Sequence, residues 1–228
     1  MGDYDLGLAL LRQFGGVDQP AVLELFDSVG AADFGAEAVS FVYGGVYYRP
    51  GLSLRHRQIV TVGALAALGF AAAQLRFHVT AARNVGCSAG ELREALDLVA
   101  AATDSQAATS VVETTAAGPE SDADGSTLDG RGRDLVLLAA YTATGGVAPR
   151  LRDHLRELLD DGGGQEAVET ILHTAIYAGF PAALNALAVA REVFAEWSGA
   201  AGGVDVRDGK RAGDAVPAWP DGDAVEGT

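Results

Sequence analysis

Two histidines and two arginines are the residues of this chain best suited to chemistry. His78 lies in the segment LRFHVTAARNVG, and His154 lies 76 positions later in LRDHLRELLDDG. Arg49 and Arg57 stand on the amino-terminal side of His78. An imidazole titrates near neutrality, and a guanidinium can form two parallel hydrogen bonds with a carboxylate. These residue types are suited to moving protons and to holding small anions.

A turn and two helices must position the first histidine. A Pro-Gly pair at positions 50 and 51 predicts the turn, and Ser53 offers an oxygen that caps the helix after it. Beyond its first turn that helix leaves almost no polar face, which is typical of a helix buried among other helices. Gly69 is expected to end it, and the next helix carries His78 and ends near Gly86.

The two histidines belong to a pattern that repeats along the chain. Identical residues recur at an ungapped offset of 76 positions, and self-similarity at a fixed period indicates a duplicated structural unit. We therefore predict a tandem repeat whose halves superpose with His78 over His154. The recurring pairs include Arg55 with Arg131, Arg57 with Arg133, Val60 with Val136, Gly69 with Gly145, Leu75 with Leu151, Arg76 with Arg152, Gly86 with Gly162 and Leu96 with Leu172.

The composition predicts an all-helical protein. Of the 228 residues, 49% are hydrophobic but 7% are aromatic, and runs of Ala and Leu recur. No apolar run reaches the roughly 18 residues of a membrane-spanning helix, and no basic region precedes an apolar one near the first residue. We therefore expect a cytoplasmic protein without a membrane partner.

The charge and the single cysteine exclude several classes of function. The formal net charge is −15, and Lys210 is the single lysine among 16 basic residues. Such a surface stays hydrated where salt screens its self-repulsion, and it repels the phosphates of nucleic acids. We interpret it as the surface of a halophilic protein with no nucleic-acid partner. Cys87 alone cannot form an internal disulfide, a CxxC redox pair or a thiolate zinc site.

Composition shifts divide the chain into four predicted parts. The parts are a first half at 1–116, an acidic linker at 117–132, a partial repeat at 133–197 and a disordered acidic tail at 198–228. Within the first half, Ser88 and Glu91 form an S-x-x-E capping box that predicts the start of a helix. Apart from the two helices on either side of Gly69, the predicted helices lie at 4–14, 20–28, 33–48, 89–102, 105–116, 133–144, 148–161, 165–178 and 181–197.

Several segments of the chain resemble the carboxymuconolactone decarboxylase family, within the wider alkylhydroperoxidase-like superfamily. YGGVYYRPGLSLRHRQIVTVGALAALG is similar to the opening turn and central helix of that family, and LRFHVTAARNVGCSAGELREAL to its histidine helix and the helix that follows. The family's closing segment is best matched by ILHTAIYAGFPAALNALAVAREVF. The resemblance covers about residues 1–197 and implies a tandem repeat of an alkylhydroperoxidase-like helical unit forming a pseudo-dimer.

The family motifs are divided between the two halves. The first half keeps the RPGL turn and the histidine helix, whereas its closing segment has become LVAAATDSQAATSVVE. The second half has lost the turn and keeps the closing segment. We therefore predict one composite site, built from His78 and the turn in one half and from the closing helices of the other. If single-domain relatives form hexamers, the fused chain is expected to form a trimer of pseudo-dimers.

By this resemblance the reaction would be a decarboxylation of a small carboxylated lactone without metal or organic cofactor. It needs a group that holds the carboxylate, donors that stabilise an enolate and a group that delivers a proton to carbon. We assign proton transfer to His78 and carboxylate binding to Arg49 or Arg57. The alternative is that His78 is a buried core residue whose hydrogen bonds are satisfied within the protein. His154, on a more polar helix, is expected to have a structural role.

Three further residues, Tyr47, Tyr177 and Asn185, are predicted to bind the substrate. Tyr47 belongs to a tyrosine cluster beside the turn, which either lines a ligand pocket or forms an ordinary half-buried helix end. In the closing segment, Asn185 is expected to donate to a carboxylate or enolate, while Tyr177 and Phe180 exclude water. The alternative is that these aromatic residues pack within their own half.

Departures from the family pattern leave a second class of function open. Gly45 and Gln58 stand where relatives carry acids, so the chain is either an active carboxy-lyase or a non-catalytic scaffold or ligand-binding member of the family. Thiol peroxidase chemistry is excluded, because the superfamily's CxxC positions before the histidines carry no cysteine here.

Overall fold

The computed structural model describes residues 3–103, 127–145 and 148–200. These residues form ten α-helices, one short 3-10 helix at Val46–Tyr48 and no β-strand. The all-α prediction is confirmed. The helices are α1 Tyr4–Gly15, α2 Ala21–Ser28, α3 Ala32–Val42, α4 Leu54–Leu68, α5 Ala72–Asn84, α6 Ala89–Thr103, α7 Gly130–Ala143, α8 Ala148–Asp160, α9 Gly164–Ala178 and α10 Phe180–Ala200.

Local signals set the ends of the central helix as predicted. Gly51 has φ of 96°, and the Ser53 side chain accepts from the His56 backbone N–H at 3.1 Å, which caps α4. Gly69, with φ of 76°, ends the helix in the left-handed region. The run 57–66 in the middle of α4 is buried throughout, and it includes three polar residues, Arg57, Gln58 and Thr61.

Helices α4 and α7 form the centre of the molecule. Their apolar side chains enter both large core clusters, one shared mainly with α8, α9 and α10 and the other mainly with α5 and α6. A Cβ on Gly63 would lie 2.9 Å from the Val136 carbonyl oxygen, so a glycine lets the two helices approach closely. Duplicated helices therefore face each other across the middle of the fold.

The repeat has one change of register. Helix α8 follows α5 by 76 positions, as Ala72 corresponds to Ala148, but α9 follows α6 by 75, from Ala89 to Gly164 and from Thr103 to Ala178. The prediction of an ungapped offset is therefore wrong beyond Gly86, where the second half is one residue shorter. Buried Leu96 corresponds to buried Ile171 rather than to the partly buried Leu172.

Several predicted boundaries shift. Helix α3 ends at Val42, and the 3-10 helix replaces the last turn of the predicted helix 33–48. Helix α7 begins at Gly130, inside the predicted linker, because Asp129 caps it by accepting from the Gly132 N–H at 2.7 Å. The predicted helix 105–116 and most of the linker and the tail lie outside the described residues, so the four-part division stays a prediction. No described helix is long and apolar enough to cross a membrane.

Candidate active site

His78 lies near the middle of α5 and is buried against the central helix. Its Nδ1 is 3.1 Å from Oε1 of Gln58, which can only accept, so Nδ1 carries the proton and Nε2 holds the lone pair. Burial lowers the pKa of His78 from 6.5 to about 3. At neutral pH the side chain is therefore a neutral imidazole with its lone pair on Nε2.

Three hydroxyl groups form a cluster beside this imidazole. The Tyr47 hydroxyl oxygen lies 2.8 Å from that of Tyr177 and 3.1 Å from Oγ1 of Thr61. The ring of Tyr177 meets the ring of His78 edge-on, with centroids 5.5 Å apart. Burial raises the pKa of Tyr47 to about 12 and raises that of Tyr177 as well. Both phenols therefore stay protonated and can donate hydrogen bonds to a developing negative charge.

A second imidazole, His173 on α9, lies on the other side of the hydroxyl cluster. Its Nδ1 is 3.4 Å from Nη1 of Arg57, which can only donate, and its Nε2 is 2.9 Å from Oγ1 of Thr61. The proton therefore lies on Nε2. Burial, and then the charge of Arg57, lower the pKa of His173 well below its usual value. His173 is a neutral donor that fixes the position of the Thr61 hydroxyl.

The two predicted carboxylate-binding arginines hold a carboxylate of the protein itself. Arg49 donates to Glu169 from Nε at 3.1 and 3.0 Å and from Nη2 at 2.6 Å. Nη2 of Arg57 donates to Oε2 of Glu169 at 3.3 Å and to the Arg49 backbone carbonyl at 2.6 Å. Arg57 is fully buried, whereas the Arg49 side chain is 47% exposed. Arg57 thus stabilises the turn, and Arg49 has a face open to solvent.

The opening turn is pressed against α9 at this ion pair. A Cβ on Gly51 would lie 2.9 Å from Cγ of Glu169 and 3.0 Å from Cγ of Gln165. The backbone of Gly51 also has a positive φ, which side chains rarely adopt. A glycine is therefore needed at this position both for its conformation and for the close approach of Glu169.

Glu169 and His173 belong to the cluster, although neither was predicted as a site residue. Glu169, His173 and Tyr177 follow one another at intervals of four along α9, so they share one face of that helix. That spacing was the available signal. It places an acid, an imidazole and a phenol in a row against α4, although the partners are more than a hundred positions apart in the chain.

The structure brings most of the predicted site residues together. His78, Tyr47, Tyr177, Arg57 and Arg49 all belong to one connected set of contacts. The closing segment does reach the helix that carries His78, as the composite-site prediction requires.

Two expectations about the closing segment need correction. Asn185 lies exposed on α10, because that helix turns Ala183 and Ala186 toward the core instead. The structure therefore gives Asn185 no place among the cluster residues. Phe180 is 65% exposed, so it does not exclude water from the cluster.

The repeat-related place, built from α7 and α8 of the second half and α6 of the first, keeps the charges and loses the hydroxyls. His154 Nδ1 lies 3.0 Å from Asp134, which corresponds to Gln58, and Arg133 donates to Glu94 at 2.6 Å as Arg57 does to Glu169. The side chain of His154 is 17% exposed, whereas His78 is buried. Apolar residues replace the rest of the cluster: Leu137 stands for Thr61, Leu98 for His173 and Ala102 for Tyr177.

Comparison with known proteins identifies the repeat. The model of the carboxymuconolactone decarboxylase family matches the chain twice, at residues 32–117 and at residues 111–192. The tandem duplication expected from the sequence is thereby confirmed. No curated protein matches the chain.

Proposed function

Because the chain belongs to the carboxymuconolactone decarboxylase family, we propose that it removes CO₂ from a small carboxylated lactone or a related product of aromatic ring cleavage. The observation that supports this most is the contact between His78 of the first half and Tyr177 of the second. It joins an imidazole to phenol donors inside one buried cluster. The proposed reaction uses no metal and no organic cofactor.

The proposed reaction breaks the bond between the carboxylate carbon and the ring. The electron pair of that bond enters the ring as an enolate, CO₂ leaves, and a proton is added to carbon. We assign stabilisation of the enolate oxygen to the hydroxyls of Tyr47 and Tyr177, whose raised pKa values keep them protonated. Donors fixed in a buried site stabilise such a charge without having to reorient.

Proton delivery is assigned to His78. Its pKa of about 3 means that the imidazolium form is a strong acid in this setting. The negative charge of a bound substrate favours uptake of a proton at Nε2, and the enolate then receives that proton. Gln58 holds the opposite nitrogen and so directs Nε2 away from the central helix.

The substrate carboxylate is assigned to Arg49 rather than to Arg57. The half-exposed guanidinium of Arg49 can reach a ligand, whereas Arg57 is fully buried between Glu169, His173 and the turn. In this proposal Arg57 and Glu169 position the site. Glu169 also returns a carboxylate to a family site whose usual acids are replaced by Gly45 and Gln58.

The proposal includes assembly of the pseudo-dimers into a trimer, without nucleic-acid or membrane partners, in a salt-rich cytoplasm. Phe34, Phe41 and Phe180 are 65%, 54% and 65% exposed, which supports burial of these side chains between chains. Light scattering at high salt would give the mass of the assembly. A monomer under those conditions contradicts this part of the proposal.

The direct experiment measures CO₂ release from carboxymuconolactone-type acids at high salt. His78→Asn is expected to lower kcat by roughly 10² to 10⁴, the usual worth of general acid–base help. His154→Asn is the matched control and is expected to keep activity. If both variants lose activity equally, or neither does, the assignment of His78 is wrong.

A second candidate function is a ligand-binding or scaffold protein without catalysis. The observation that favours it is that both arginines already donate to a carboxylate of the protein itself, that of Glu169. In that case the wild-type protein binds small carboxylic acids in calorimetry and releases no CO₂ from any of them. Turnover of a single acid that depends on His78 excludes this candidate.

A further inference from the structure

We propose that Asp134, His154 and Glu157 form a binding site for a divalent transition-metal ion in the second half of the chain. His154 Nδ1 lies 3.0 Å from Oδ1 of Asp134 and 3.1 Å from Oε2 of Glu157. One ligand atom from each residue lies within 4.8 Å of the other two. No second group of three such residues is found within 3–103, 127–145 and 148–200.

The distances fit a shared ion. Two ligand atoms that each lie about 2.1 Å from a metal, at roughly a right angle, are about 3 Å apart, as Nδ1 is from both oxygens here. Glu157 is 59% exposed, so its side chain is free to adjust around an ion. A neutral imidazole with two carboxylates is a ligand set for Zn²⁺, Mn²⁺ or Fe²⁺, whereas Ca²⁺ and Mg²⁺ prefer oxygen ligands alone.

The fold holds these ligands in place. Asp134 comes from the first turns of α7, while His154 and Glu157 lie one turn apart on α8, so two packed helices bring the three together. The ring of Tyr141 stacks on that of His154 at 5.8 Å and 15° between planes, which fixes the imidazole orientation. Asp134 and His154 are only 15% and 17% exposed, and Glu157 opens the site to solvent.

The first half shows what the same place looks like without the acids. Gln58 and His78 keep the same contact at 3.1 Å, but Ala81 stands where the second half has Glu157. The second half thus combines the inherited histidine geometry with two negative charges in a partly buried setting.

The test uses the full chain, stripped of metal with a chelator, and Zn²⁺ or Mn²⁺ alone in calorimetry. We expect one ion per chain, with affinity lowered at least about tenfold by Asp134→Asn and by Glu157→Gln. Asp153→Asn is the matched control, since Asp153 is a 66% exposed acid on the same helix that pairs with Arg156. Equal binding by all variants, or none by the wild type, overturns the proposal.

A measurement on the wild type alone guards against variants that fail to fold. Co²⁺ added to the stripped protein is expected to develop visible absorption bands of a nitrogen- and oxygen-ligated ion, and Zn²⁺ is expected to displace them. A spectrum identical to that of free aqueous Co²⁺ overturns the proposal. The outcome is independent of decarboxylation, because none of the three proposed ligands belongs to the cluster of His78 and the hydroxyl groups.

Discussion

The hydroxyl oxygens of Tyr47 and Tyr177 lie 2.8 Å apart although 130 positions separate the two residues in the chain. Tyr47 follows the third helix of the first half, and Tyr177 lies near the end of α9 in the second. The contact therefore exists only because the two halves pack with α4 and α9 side by side. It is the most direct sign that the two repeats share one polar cluster.

Tyr177→Phe removes one hydroxyl from that cluster and keeps the ring that packs on His78. We expect the free energy of unfolding to fall by about 1 kcal/mol, the usual net worth of a buried hydrogen bond, because Tyr47 keeps Thr61 and Gln58 as partners. Under the proposed function kcat falls by roughly 10². Urea unfolding and the CO₂ assay measure the two effects. Tyr48→Phe is the control, because Tyr48 lies next to Tyr47 in the 3-10 helix and its ring is half-exposed. This variant should change neither the free energy of unfolding nor kcat.

Three helix ends were predictable because their signals are local. The Ser53 cap, the left-handed Gly69 and the capping box of Ser88 and Glu91 were all expected, and all are present. Each depends on residues within four positions of one another. The apolar character of α4 likewise predicted its burial, since a helix that is buried on all sides carries apolar residues on all of its faces.

The partners of the buried polar residues were not predictable in the same way. Glu169 meets Arg57 across 112 positions, and nothing near Arg57 indicates which acid will neutralise it. The orientation of Asn185 was misjudged because α10 carries small apolar residues on more than one side, so its sequence does not single out the face turned inward. Long-range pairing depends on how helices pack, and the sequence pattern fixes only which faces are apolar.

His78 makes stability depend on pH. Its pKa is about 3 in the folded protein and 6.5 in the unfolded chain, so the unfolded state binds more protons between these values. The contribution of the neutral His78 imidazole to the free energy of unfolding is fully present above pH 6.5. It is lost as the pH falls toward 3, at up to about 1.4 kcal/mol per pH unit. His173, whose pKa is also lowered, acts in the same direction.

His78→Asn removes one of these two titrating groups. Urea unfolding of the variant between pH 7 and pH 5 should therefore show a smaller loss of stability than the wild type. An unchanged slope in His78→Asn would show that its imidazole is not held neutral by burial.

Glu169→Gln and Glu94→Gln test corresponding ion pairs in different surroundings. Loss of the Glu169 charge leaves the fully buried Arg57 without its counter-ion, which should cost about 3 to 5 kcal/mol in unfolding free energy. Arg133, the partner of Glu94, is 43% exposed, so water compensates and the cost should stay below about 1 kcal/mol. Chemical denaturation of both variants measures the difference, and similar costs would mean that Arg57 is hydrated in solution.

Gly51→Ala and Gly86→Ala separate backbone strain from crowding. Both glycines have a positive φ, 96° and 95°, so alanine should cost about 1 to 2 kcal/mol at either position. The Cβ at position 86 meets nothing within 4 Å, whereas at position 51 it lies 2.9 Å from Cγ of Glu169. We therefore expect Gly51→Ala to lose more unfolding free energy, and to lower carboxylate affinity as well, because displacement of Glu169 disturbs the Arg49 guanidinium. Equal losses in the two variants would show that the turn is not pressed against α9 at this point.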